Sequence, residues 1–196
     1  MGSRLCMLER ERTARNIRCP WWATFLAGAA RSASVTSEGI DVGFRNELRS
    51  IDWSSVETMP AKARHLFIQS VTLRAPGGDV RLYFANAKQR DEAWTQIVRG
   101  WYSPRLAAIK SRMSAFTGSL PRHGYVRTTQ WTPIAQEFAA LQATMPPIPP
   151  KHVLEDDQYS FLHATIEFVR SPTTWLKASR DRYVQNALLQ HEHLFD

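Results

Sequence analysis

Between Glu92 and Glu137 the chain carries no acid, and in that window stand Arg99, Arg105, Lys110, Arg112, Arg122 and Arg127. Trp101, Tyr102, Tyr125 and Trp131 are interleaved with them. Cations neutralise phosphates and bases stack on aromatic faces at roughly 1–3 kcal/mol each, so this composition suits single-stranded nucleic acid. On that reading the six cations contact phosphates, and Tyr102, Tyr125 and Trp131 stack on bases. A competing reading places the same cations beside a core face. On a helix over 104–118, Arg105 and Arg112 border one side of an apolar stripe and Lys110 the other, as snorkelling flank residues do. An acidic protein or a lipid partner is the remaining alternative.

Other chemistry-bearing residues are less well placed. His191-Glu192-His193 has metal-binding residue types, but positions two apart on a helix point about 200° from each other, so the imidazoles diverge. His65, His123, His152 and His163 are isolated in sequence. Glu155-Asp156-Asp157 falls at an expected helix start, where carboxylates favour the helix dipole. Cys6 and Cys19 form no CxxC pair, disulfide framework or zinc spacing, which points to a reducing, cytoplasmic setting. There is no GxxxxGK[ST] loop, no GxGxxG turn and no GxSxG elbow. With no catalytic constellation and no cofactor motif, the chain by itself reads as a non-enzyme.

The 196 residues suffice for one large domain or two small ones. A 43% apolar and 22% charged composition is that of a folded protein, and the net charge of +7 favours a polyanionic partner. Residues 20–30 (PWWATFLAGAA) imitate a secretory signal after an Arg-rich start, but Thr24 and Gly28 interrupt a short apolar core. The alternative is a lead-in whose aromatics pack on the domain that follows. No run is long enough to span a membrane.

The elements that must position these residues follow from periodicity. Residues 1–30 form a basic lead-in arm, a short helix or a loose segment. Period-two patterns then predict strands at Ser34–Thr36, Ile40–Phe44, Leu48–Trp53 and Arg64–Arg74, with a turn at Ser37-Glu38-Gly39. Ala75-Pro76-Gly77-Gly78-Asp79 connects a hairpin to Val80, Leu82 and Phe84. Asn86 caps a helix with Gln89 three residues on, and Trp94, Ile97, Val98 and Trp101 form its stripe. Antiparallel strands closed by one aromatic-rich helix have the layout of a pleckstrin-homology-like barrel.

Beyond it the pattern is helical. Ser103-Pro104 signals a new helix start and Gly118 a stop, with Leu106, Ile109, Met113 and Phe116 facing one way. Tyr125–Trp131 reads as extended. Thr132-Pro133 opens a helix with Ile134, Phe138 and Leu141 inward, and Met145–Pro150 is a polyproline spacer. Helices around Glu155–Val169 and from Pro172 onward, capped by Ser171, complete the chain. In the last of these, Leu176, Tyr183 and Leu194 share a face with Val184, Leu188 and Phe195 beside it, a surface for a partner to dock on. The expected class is therefore α+β, with a β domain over 31–102 and a helical region over 103–196 containing the 145–150 spacer.

The order of these segments, ending in Trp175-Leu176, Arg180, Tyr183-Val184, Leu188 and Leu194-Phe195-Asp196, resembles the amino-terminal region of bacterial DNA helicase IV, a UvrD/Rep-like superfamily 1 helicase. The likeness covers most of residues 30–196 and lies in pattern and spacing. It implies a leader region that assists DNA engagement, on single-stranded or forked DNA, or contacts a partner, in a family whose work is ATP-driven 3′→5′ unwinding. ATP and magnesium would belong to the motor, and no motor residue carries over to this chain. It also implies that Asp196 is a truncation point, or the end of a split gene whose motor chain the terminal helix meets in trans. The rival expectation is a pleckstrin-homology-like protein-interaction module with no nucleic-acid role; neither reading involves a membrane.

Overall fold

The computed structural model describes residues 15–25, 29–65, 68–119 and 131–170. The protein is α+β, and among these residues seven antiparallel strands in two sheets are followed by helices. The chain divides into two compact units, Met1–Pro104 and Arg105–Asp196.

Four strands make the first sheet in simple order: β1 (Arg15–Arg18), β2 (Ser32–Val35), β3 (Gly39–Gly43) and β4 (Leu48–Asp52). Register follows the pleat. Ala33 lies opposite Val42 and Val35 opposite Ile40, which in turn faces Ile51, and all five are buried. Ser32, Ser34, Asp41 and Ser50 alternate onto the other face, where Ser50 donates to Asp41 at 2.6 Å. The Ser37-Glu38-Gly39 turn forms as expected. Thr36 closes it with its N–H to the Gly39 carbonyl at 2.9 Å, while its Oγ1 accepts the Gly39 N–H at 3.1 Å.

The second sheet holds β5 (Ala61–His65), β6 (Ile68–Ala75) and β7 (Gly78–Phe84). Val71, Leu73, Val80, Leu82 and Phe84 fill its inner face at period two. Gly77 and Gly78 take φ of +86° and +114° in the β6–β7 turn, a region open to glycine at no steric cost. Arg49 of β4 donates to the Pro76 carbonyl in that turn and ties the two sheets together.

Helix α1 (Ala87–Ser119) begins where its cap predicts, with the Gln89 N–H donating to Asn86 Oδ1 at 2.9 Å. Trp94, Ile97, Val98 and Trp101 are all buried. Two indole N–H groups on this stripe reach the β4–β5 connection: Trp94 Nε1 donates to the Pro60 carbonyl at 2.8 Å and Trp101 Nε1 to the Val56 carbonyl at 2.7 Å. A third indole, Trp53, donates to the Thr36 carbonyl at 3.0 Å. Its ring lies so close to Gly100 that a Cβ there would sit 2.5 Å from Trp53 Cζ2. Each of these rings combines large buried area with one satisfied polar tip.

In the second unit, α2 (Trp131–Ala143) and α3 (Asp156–Arg170) flank the Met145–Pro150 stretch, which has no regular structure. Phe116, Phe138 and Phe168 meet as a triad with ring centroids 5.6–5.7 Å apart. Asp156 and Asp157 occupy the first turn of α3 and Arg170 the last, the order its dipole favours.

Four expectations are corrected. Helix α1 does not restart at Ser103-Pro104; it runs through Pro104. An interior proline costs ~3 kcal/mol, but helical spacing of buried side chains continues through Leu106, Ile109 and Phe116, each contributing roughly 1.5–3 kcal/mol. The single strand Arg64–Arg74 is instead β5 and β6. Ala61 to Arg64 are all exposed, so β5 has no apolar alternation to reveal it, and its Lys62 and Arg64 suit a sheet edge. Residues Arg15–Arg18 of the lead-in arm are a strand, carried by backbone pairing to β2 and one buried side chain, Ile17. Trp131 is the first residue of α2, not the end of an extended segment.

Candidate nucleic-acid interface

Helix α1 carries residues 93–119 of the acid-free window, and α2 opens with residues 131–136 of it. Tyr102 is 0% exposed, with its ring edge-on to Trp101 at 4.9 Å and its hydroxyl 3.8 Å from Met59 Sδ. Its face is therefore unavailable to a base, which corrects the stacking role expected of it. The reason is helical spacing: Tyr102 lies next to Trp101 and four residues beyond Val98, on the border of the buried stripe. Arg99 and Arg105 are half-buried.

Lys110 and Arg112 are exposed, and both meet residues distant in sequence. Lys110 Nζ lies 5.5 Å from the centroid of the Phe161 ring of α3. Arg112 Nη1 lies 3.7 Å from Glu137 Oε2 of α2. That oxygen is enclosed and accepts no hydrogen bond among the described residues. The window's lack of acids is thus a property of the sequence, while in space Glu137 returns to Arg112. Arg122, Arg127 and Tyr125, the Trp131 side chain, and Leu176, Tyr183, Val184, Leu188, Leu194 and Phe195 lie outside the described residues.

On the opposite side of the charge balance, Asp91 of α1 draws two cations. Arg90 Nη2 lies 2.9 Å and Lys62 Nζ 3.3 Å from its Oδ1, and Lys62 also caps the Trp94 ring at 4.3 Å from its centroid. Slight burial works to raise the Asp91 pKa. The hydrogen bonds and charges of Arg90 and Lys62 outweigh it and hold the carboxyl below the ordinary carboxylate value. Burial pushes the Cys19 thiol up, against a hydrogen bond with the Tyr83 backbone, so it is a thiol rather than a thiolate at neutral pH. Among the described residues no three of His, Cys, Asp and Glu gather as a metal site, and no helix is long and apolar enough to cross a membrane.

Two features of the first unit were not anticipated from periodicity. A groove of about 330 Å³ opens between β1 and α1, lined by buried Ile17, Phe84 and Ala93 and by exposed Arg18, Gln89 and Glu92. The second feature is an aromatic turn: Trp21–Phe25 is a 310 helix whose first residue is 76% exposed, while Trp22 packs on Tyr83 with centroids 6.5 Å apart. Packing of the lead-in aromatics on the domain is thus met by Trp22. The sequence signal for it was a second acid-free stretch, from Arg12 to Ser37, holding Arg12, Arg15, Arg18 and Arg31. Comparison with protein-family models, curated proteins and solved structures finds no match to this chain.

Proposed function

We propose that the chain is a DNA-binding accessory region of a helicase IV-like superfamily 1 helicase, acting on single-stranded or forked DNA and carrying no motor residues of its own. The observation that supports this most is the order of elements. Four plus three antiparallel strands are followed by the helix of Trp94 and Trp101, then by α2, the Met145–Pro150 stretch and α3, as the resemblance to that family's amino-terminal region implies. The four-plus-three arrangement followed by a helix also supports a pleckstrin-homology-like β unit, with the indole bonds of Trp94 and Trp101 fastening the helix across it. The basic composition supplies the affinity for phosphate.

The experiment is fluorescence anisotropy of the folded chain with labelled single-stranded, duplex and forked DNA over a salt series. Affinity that prefers single strands or forks and falls steeply with salt is the expected result. Absence of binding at low salt by a folded chain would sink this reading. A second reading, a pleckstrin-homology-like interaction module, is favoured by the groove between β1 and α1. There a partner's extended peptide would add to the β1 edge and seat a side chain over Ile17, Phe84 and Ala93.

A further inference from the structure

We infer that single-stranded nucleic acid is held at one end of the four-stranded sheet, with Trp21 as the stacking ring and Arg18, Arg31 and Arg45 on its phosphates. This site rests on the DNA-binding reading and lies outside the acid-free window of α1.

The first observation is an anchored turn that points a ring outward. Ala23 is fully buried and its N–H donates to the Pro20 carbonyl at 3.0 Å, and Trp22 is seated against Tyr83. Trp21, between Pro20 and Trp22, is 76% exposed, whereas Trp53, Trp94 and Trp101 are at most 4% exposed. A stacking platform needs an aromatic face that is presented without a loop having to be ordered first.

The second observation is how the backbone gathers the cations. Arg18 ends β1 and pairs with Ser32, and the next residue, Cys19, donates its N–H to the Arg31 carbonyl at 3.1 Å. Arg31 in turn donates to the Gly43 carbonyl at 2.7 Å, and the turn that follows, closed by the Phe44 N–H on the Glu47 carbonyl at 2.8 Å, carries Arg45. Three neighbouring strand ends therefore each contribute one exposed arginine. Adjacent strands lie ~4.8 Å apart, so the three span about 10 Å at the backbone, a scale suited to a few nucleotides. Glu47 is the only acid among residues 18–32 and 43–47.

An anionic membrane would use the same residue types. It would also need a continuous apolar surface, and among the described residues the large exposed hydrophobics are Trp21 and Leu48. One ring and three guanidinium groups fit a strand better than a bilayer.

The test is anisotropy of the full chain with a labelled oligothymidylate of about twenty nucleotides, over a salt series. Trp21→Ala is expected to weaken binding roughly 5- to 100-fold, with Trp21→Phe retaining most of the affinity. Arg18→Gln, Arg31→Gln and Arg45→Gln together should reduce the slope of log K against log salt by about two. All four side chains are exposed, and thermal melts of the variants serve as the folding control. If wild type binds and both variants keep its affinity and slope, this site is wrong while the DNA-binding reading stands. A folded wild type that ignores the oligonucleotide overturns both. Binding to phosphatidylserine vesicles that depends on Trp21, with none to the oligonucleotide, overturns the site in favour of a membrane surface.

Discussion

Residues 12–37 and 93–136 share a composition, with several cations, at least two tryptophan or tyrosine rings and no acid. The fold treats them in opposite ways. In the later window the described rings, Trp94, Trp101 and Tyr102, are buried, and Arg112 meets Glu137 from another helix. In the earlier one Trp21 faces solvent, and Arg18 and Arg31 are exposed on either side of a fixed backbone junction. The difference teaches that a cation–aromatic mixture identifies a surface for nucleic acid only after helical or strand geometry has chosen which rings go inside. A seven-residue step along a helix sends Trp94 and Trp101 to the same inner face. A 310 turn packed through Trp22 and Ala23 leaves Trp21 outside.

That contrast can be broken most forcefully at the tryptophans. Trp101→Ala removes a buried ring and leaves the Val56 carbonyl without its indole donor, so it should cost about 3–5 kcal/mol in urea unfolding. Trp21→Ala should stay within ~0.5 kcal/mol of wild type. Equal losses at the two sites would mean that Trp21 is a core residue and would remove the stated difference.

Gly100→Ala sharpens the comparison at the next scale. Alanine is favoured over glycine inside a helix by about 1 kcal/mol, but its Cβ would press on the fully buried Trp53 ring. Overpacking of that kind costs about 1–3 kcal/mol, so a net loss of stability is expected. A gain would show that Trp53 yields freely and that α1 is less tightly held than its indole bonds indicate.

The smallest effect is at Asp91, next to the acid that opens the later window. Its folded-state pKa is lowered, so it binds fewer protons when folded than when unfolded. The stability it contributes is complete above its ordinary value of about 4, and is lost as pH falls from there through the lower folded value. Melting temperatures of wild type and Asp91→Asn should therefore differ slightly at pH 6 and converge toward pH 3. A difference that does not change with pH would assign the effect to packing and not to charge.

Much of the fold could be read in the chain because local chemistry and final structure agree there. Asn86 and Gln89 marked the start of α1, the Gly77-Gly78 pair marked a hairpin, and Val80, Leu82 and Phe84 marked an inner face. Where they disagreed, tertiary pairing had replaced the local signal. β1 holds its place through the buried Ile17 and a neighbouring strand, β5 is an edge whose residues from Ala61 to Arg64 are exposed, and Pro104 sits inside a helix whose packing outweighs its break.

For the candidate site the division is sharper. The sequence alone determined net charge, the two acid-free stretches, the α+β class and the absence of a phosphate loop from these 196 residues, because all of these depend on composition and short-range spacing. Only the tertiary structure decided which rings face water, that Glu137 returns to Arg112, and that Arg18, Arg31 and Arg45 share one end of a sheet. Those facts depend on strand register and on contacts between residues far apart in the chain, which no local pattern encodes.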